Sequence, residues 1–233
     1  MSILNKNLDT HFFLELKSPN KVKIFDYHLT KPLIAYVNVN NVLAIWDWER
    51  KTCLKCFSTA AIESKDLSKT VTVKSIKFLD KDILNALFPG EPFDSEAPFY
   101  AGTWLIVVAE SKIYFYDYVS EKNETISISQ LDGKQPRCVE PVDMKHLAVG
   151  CTDGYVKNFD LGAWATVKTL KGFHHKTVYN MMGYKQGDNS KNRLVVSGSD
   201  GTLACWNVEG EEILFKFGML KSGKQVEIIM EKE

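Results

Sequence analysis

The chain has 233 residues, 45% of them hydrophobic and 25% charged, enough for one large all-β domain or two small ones. Lys+Arg and Asp+Glu both number 29, so the formal net charge is zero and gives no electrostatic reason to expect nucleic acid or an anionic membrane surface. No run of about 18 apolar residues occurs, the N-terminus MSILNKNLDTHFFLELK is too polar for a secretory signal, and the five scattered cysteines read as reduced thiols of a cytosolic protein.

Taken in order, residues 1–10 are polar and read as a flexible N-terminus, and residues 11–233 as a single domain. Residues 11–17 (HFFLELK) form a strand-like run ended by Ser18-Pro19-Asn20. Four strands follow at 22–28, 33–37, 42–48 and 53–57, with Pro32 fixing φ in the first turn and Trp46-Asp47 near the end of the third strand. Residues 60–70 are a polar connector with room for one helical turn. A second set of strands opens at 71–79 and is interrupted at 80–103 by a stretch holding Pro89-Gly90, Pro92 and Pro98. It resumes at 104–109, 112–118 (with Tyr116-Asp117) and 124–130.

A third set runs from about residue 137 to 170, through 147–151, the turn Asp153-Gly154, 155–161 with Phe159-Asp160, and 165–170. The fourth set, 177–184, 194–197, 202–208 and 213–217, is the clearest. Its Asp200-Gly201 pair is a hairpin signal, because both residue types tolerate positive φ, and its third strand ends in Trp206-Asn207. Residues 224–231 (KQVEIIME) look like the first strand of a fifth set.

Asp47, Asp117, Asp160 and Asn207 hold corresponding places, 70, 43 and 47 residues apart. Setting aside the 24 residues of 80–103 brings the first spacing to 46. Blades of WD-repeat propellers, each of four antiparallel strands, recur about every 40–45 residues. The expected fold is therefore all-β: an incomplete WD-repeat β-propeller with four whole blades, an N-terminal strand and a fifth-blade stub. Propellers close with about 4–8 blades, and WD-repeat ones commonly with seven. The count implies the N-terminal part of a longer propeller protein or a shortened form of one. Apolar first and second strands are expected on the central-channel side, with Val149, Val195 and Val196 in the core.

The residues with chemical potential read as structural. In WD blades a His before the first strand joins a Ser/Thr of the second, the turn Asp and the Trp of the third. Here His174 or His175, Ser197, Asp200 and Trp206 fill those places, with Trp46, Asp47 and Asp153 as counterparts in other blades, and their expected task is to satisfy buried polar groups. Cys53-x-x-Cys56 suggests half a metal or redox site, but residues i and i+3 of a regular strand point to opposite faces and no second pair lies near in sequence. Lys168, Lys171, His174, His175 and Lys176 read as a solvated turn. Gly198-Ser199-Asp200-Gly201 lacks the Lys and helix of a phosphate loop. No catalytic, cofactor-binding or metal-binding residue is assigned, and no cofactor is expected. The 80–103 insertion carries Leu84, Leu87, Phe88, Phe93, Phe99 and Tyr100, either packed filler or a partner-contacting loop.

Four stretches in order carry a family resemblance: KVKIFDYHLTKPLIAYV, NNVLAIWDWE, VKSIKFLD with a long insertion before WLIVVAESKIYFYDY, and LVVSGSDGTLACWN. Together, over roughly residues 12–217, they resemble the start of a WD-repeat subunit of the TSET complex, named the TPLATE complex in plants. That complex is an endocytic adaptor coat related to the adaptor and coatomer complexes. The resemblance implies a non-enzymatic scaffold subunit of a vesicle coat acting in endocytosis and membrane trafficking. Its partners would be other protein subunits, with no nucleic acid and no small-molecule substrate. It would be cytoplasmic, and peripheral at the plasma membrane or vesicles only through its complex. Members of that family continue into a second propeller and an α-solenoid, which these 233 residues do not contain. The alternative is a generic WD-repeat interaction adaptor in an unrelated complex, such as a ubiquitin ligase or a chromatin complex.

Overall fold

A computed structural model describes residues 21–63, 71–88, 102–109, 111–171, 176–186, 191–208, 212–219 and 226–229. The strand expected at 11–17 lies outside the described residues. The first blade is the antiparallel meander β1 (Val22–Tyr27), β2 (Leu33–Asn38), β3 (Val42–Asp47) and β4 (Thr52–Ser58). The short helix α1 (Ala60–Glu63) follows it. The second blade is β5 (Ser75–Leu79), β6 (Trp104–Val108), β7 (Lys112–Asp117) and β8 (Asn123–Ser127). The third is β9 (Pro136–Pro141), β10 (His146–Cys151), β11 (Val156–Asp160) and β12 (Ala165–Leu170). The fourth is β13 (Val178–Gln186), β14 (Lys191–Gly198), β15 (Thr202–Asn207) and β16 (Glu212–Met219).

The last strand, β17 (Val226–Ile229), corrects the expectation of a fifth-blade stub. It hydrogen-bonds antiparallel to β16, with Lys216 opposite Ile229, and so extends the fourth sheet outward. An apolar run that follows closely in sequence can pair with a free strand edge before it starts a new sheet.

Turn chemistry explains the repeat. Each third strand ends on the residue picked out by spacing, and three of the four are aspartates whose carboxylates accept from the next turn. Asp47 Oδ1 accepts from Arg50 N (2.9 Å), Asp117 Oδ1 from Val119 N (3.0 Å), and Asp160 Oδ1 from Gly162 N (2.7 Å). These are Asx-type caps, which tie down otherwise unpaired amides. The preceding turns are built alike: Asp153 and Asp200 accept from the amides of Tyr155 and Thr202, with Gly154 at φ 90° and Gly201 at φ 82°. A Cβ at position 201 would meet nothing, so only the backbone angle demands glycine there.

The first strands β1, β5, β9 and β13 lie innermost, and three apolar cores fill the spaces between consecutive blades. Leu33, Val37 and Ile45 meet Phe78, Leu105 and Val107. Ile106, Val108 and Phe115 meet Leu147, Val149 and Phe159. Ala148 and Val156 meet Leu194, Val196 and Trp206. The strand WLIVV is apolar throughout because alternate residues serve two different cores. Among the described residues the first blade packs on one such neighbour, and Phe25 and Tyr27 on the other face of β1 are 67% and 58% exposed. Val149 and Val196 are fully buried as expected, but Val195 is half-buried, because its side of β14 faces away from the third blade.

The interruption at 80–103 contains the helix α2 (Lys81–Leu87). Asp80 caps its N-terminus, accepting from Ile83 N at 2.9 Å. Ile83, Leu84 and Phe88 are buried, which turns this part of the insertion into core.

Candidate functional site

The innermost strands line an open axial cleft of about 520 Å³. Its lining corrects the expectation of an apolar channel, for it includes Asp26, Lys77, Arg137, Glu140 and Tyr179. Apolar residues of these strands such as Ile76, Val139 and Met181 pack into the inter-blade cores, while Phe25 and Met182 stay exposed on the lining beside the polar groups.

These polar groups form a chain across all four blades. On β1, Asp26 Oδ2 accepts from Phe78 N of β5 at 2.7 Å. On β5, Lys77 Nζ lies 2.8 Å from Glu140 Oε2 of β9. Glu140 Oε1 accepts from Gly183 N of β13 at 3.2 Å. Gly183 is required at that crossing, since a Cβ there would lie 2.6 Å from Pro141 O. Arg137 adds a second tie, donating to Lys74 O at 2.7 Å and lying 5.0 Å from the Tyr179 ring centroid. Burial pushes the carboxyls of Asp26 and Glu140 up, with Lys77 opposing. For Lys77, burial works against the charge, but Glu140 and Asp26 outweigh it and raise its pKa.

A second junction joins the first blade to the insertion. His28 is buried, and its Nδ1 accepts from the amides of Thr30 and Lys31, both at 3.2 Å. That assigns the proton to Nε2, which donates to Asp80 Oδ2 at 2.8 Å. Burial disfavours the Asp80 carboxylate, but hydrogen bonds from His28, Lys31 and Ile83 N–H hold its pKa well below the usual carboxylate range. The third blade carries a similar pair: His146 Nδ1 lies 2.7 Å from Asp143 Oδ2, and His146 Nε2 lies 3.6 Å from Asp160 Oδ2.

The residues singled out from sequence fall into three groups. Asp47, Asp153 and Asp200 cap turns, and Asp153 also meets Lys134 at 2.7 Å. Trp206 is buried in the core between the third and fourth blades, and Trp46 Nε1 has no hydrogen-bond partner among the described residues. Ser197 Oγ donates to Asn180 O of the neighbouring strand at 3.2 Å. His174 and His175 lie outside the described residues, as do Phe93, Phe99 and Tyr100. Leu84 and Phe88 are core and Leu87 packs against it, so these three are filler rather than a contact surface.

One reading of the cysteines is overturned. The β3–β4 ladder pairs Trp46 with Cys53, Ile45 with Lys55 and Ala44 with Cys56, which leaves Leu54 as the extra residue of a bulge. The bulge places Cys53 and Cys56 on one face, beside Trp46 and Ala44. Among the described residues no group of three or more His, Cys, Asp or Glu side chains is placed to hold a metal ion. No helix among them is long and apolar enough to cross a membrane.

No protein-family model matches the chain. It is 27% identical over 116 residues to the TSET complex member tstF of Dictyostelium discoideum. That alignment covers 49% of this chain and 10% of the relative, so the chain spans only a small part of that protein's length.

Proposed function

We propose that this chain is a non-enzymatic WD-repeat scaffold subunit of a TSET-type vesicle coat, acting in endocytosis and membrane trafficking. The observation that carries this reading is the 116-residue similarity to a TSET complex member. The propeller arrangement supports it, because propellers present rigid, partner-binding surfaces without needing a catalytic centre. So does the exposure of Phe25 and Tyr27 on β1, as exposed apolar surface often marks contact with other proteins. Recruitment to the plasma membrane or vesicles then runs through the other subunits. The formal net charge of zero supports this, because stable anchoring takes two signals, such as a lipid chain with a polybasic patch.

The test is affinity purification of the tagged full-length protein followed by mass spectrometry, with liposome sedimentation alongside. The expected outcome is co-purification of coat subunits and no sedimentation with protein-free anionic liposomes. Co-purification of ligase or chromatin subunits together with a nuclear location would overturn the coat reading. Strong binding to bare liposomes would overturn partner-dependent recruitment.

A further inference from the structure

We propose that Cys53 and Cys56 form a redox-active dithiol on the outer strand of the first blade, closing to a disulfide when a hydroperoxide oxidises it. In a regular strand a C-x-x-C pair is split between the two faces. Here the bulge at Leu54 restores a same-face relationship, since the partners of the two cysteines, Trp46 and Ala44, are two positions apart on β3. The bulge belongs to the fold and not to the cysteines. The third and fourth blades shift register at the same place, between Asn158 and Phe159 and between Cys205 and Trp206. There the corresponding pairs are Thr166 with Thr169 and Ile213 with Lys216, so among these three bulged blades only the first carries two thiols.

Distance and access both permit closure. Two strand positions span about 6.8 Å, at the upper end of the roughly 4.4–6.8 Å of Cα separation that disulfides bridge. Both thiols are exposed, whereas Cys138, Cys151 and Cys205 are buried. Cys53 Sγ donates to Lys55 O at 3.2 Å, a bond that a rotation about χ1 releases. Burial pushes the Cys53 thiol up, and the neighbouring Cys56 adds to that rise, which places the two sulfurs in each other's field. Lys55, between them in sequence, points to the opposite face and pairs with Glu121 of the second blade, so closure would bear on an inter-blade tie.

The chemistry balances. One thiol, as thiolate, attacks the peroxide O–O bond and becomes a sulfenic acid, and the departing oxygen leaves as water. The second sulfur then displaces the sulfenic oxygen, which leaves as another water. Two thiols and one hydrogen peroxide give one disulfide and two waters, with two electrons passing from sulfur to oxygen. Because the Cys53 thiol is raised, the reaction is slow at neutral pH and accelerates as pH rises.

The experiment uses the whole chain. In native buffer a thiol reagent is expected to titrate two of the five cysteines. After graded hydrogen peroxide both should disappear together, with loss of two hydrogens in the intact mass. Peptide mapping should then show a Cys53–Cys56 link that dithiothreitol reverses. Cys53→Ser and Cys56→Ser, both at exposed sites, should each abolish that link while leaving the melting temperature unchanged. Independent oxygen additions on the two cysteines, covalent dimers in place of the internal link, or a link in either single variant would overturn the proposal.

Discussion

Lys77→Met is the most direct test of the polar chain along the axis. Lys77 Nζ lies 2.8 Å from Glu140, whose side chain is only 5% exposed, and it also faces Asp26. Removing the ammonium leaves the buried Glu140 carboxylate and the half-buried Asp26 carboxylate without the Lys77 cation between them. Deleting one partner of a buried pair costs about 3–5 kcal/mol when the survivor stays charged. Glu140 has an escape, because burial already raises its pKa and a proton can replace the lost cation. Each unit by which the carboxyl pKa falls short of the working pH costs about 1.4 kcal/mol. The loss is therefore expected to be roughly 3 kcal/mol at neutral pH and to shrink as the solution is acidified. The sign follows from a raised folded-state pKa: protonation favours the folded form at low pH, and that advantage disappears as pH rises. Lys77→Met combined with Glu140→Gln removes one stranded charge but keeps an acceptor for Gly183 N–H, and should recover most of the loss. Urea unfolding of wild type, single and double variants across pH 5 to 8 measures this. A loss below about 1 kcal/mol at neutral pH, or one independent of pH, would refute the reasoning.

The pair Asp143–His146 should give stability a second pH dependence. Hydrogen bonding to Asp143 raises the His146 pKa against some burial, so its contribution is fully present below the usual histidine range and is lost as pH rises through the elevated value. His146→Gln should flatten the unfolding free energy over that window, and an unchanged slope would count against the pair. Asp117 accepts from Val119 N, Ser120 N, Ser120 Oγ and Thr103 Oγ1, so Asp117→Ala should cost roughly 2 kcal/mol in chemical denaturation. Phe88 is buried below α2, and Phe88→Ala should cost about 3–5 kcal/mol by thermal or urea unfolding. A loss below about 1 kcal/mol would show that the insertion packs loosely on the blade.

Much of the fold was legible because it is written in short-range patterns. Apolar runs such as WLIVV mark strands buried on both faces, Asp-Gly pairs mark turns, and the capping role of Asp47, Asp117 and Asp160 fixes a repeated position that spacing arithmetic can find. The helix α2 was also visible in principle. Asp80 at the N-cap and apolar Ile83, Leu84 and Leu87 are a helix-start signal, obscured by the prolines that follow.

What the sequence hid is set by contacts between blades. Lys77, Glu140 and Gly183 lie far apart in the chain, and nothing local to any of them announces a buried ion pair on the axis. The same holds for His28 and Asp80, 52 residues apart. The apolar-channel expectation failed for a related reason: period-2 patterning reports that a side chain is buried, but not whether its neighbour is the axis or the next blade. The cysteines show the limit most sharply. The face of Cys56 relative to Cys53 depends on one unpaired residue, Leu54, and that residue is identified only by the register of the partner strand. A strand read alone therefore assigns these thiols to opposite sides, while a strand read with its neighbour brings them together, and only the second reading makes a dithiol chemically possible.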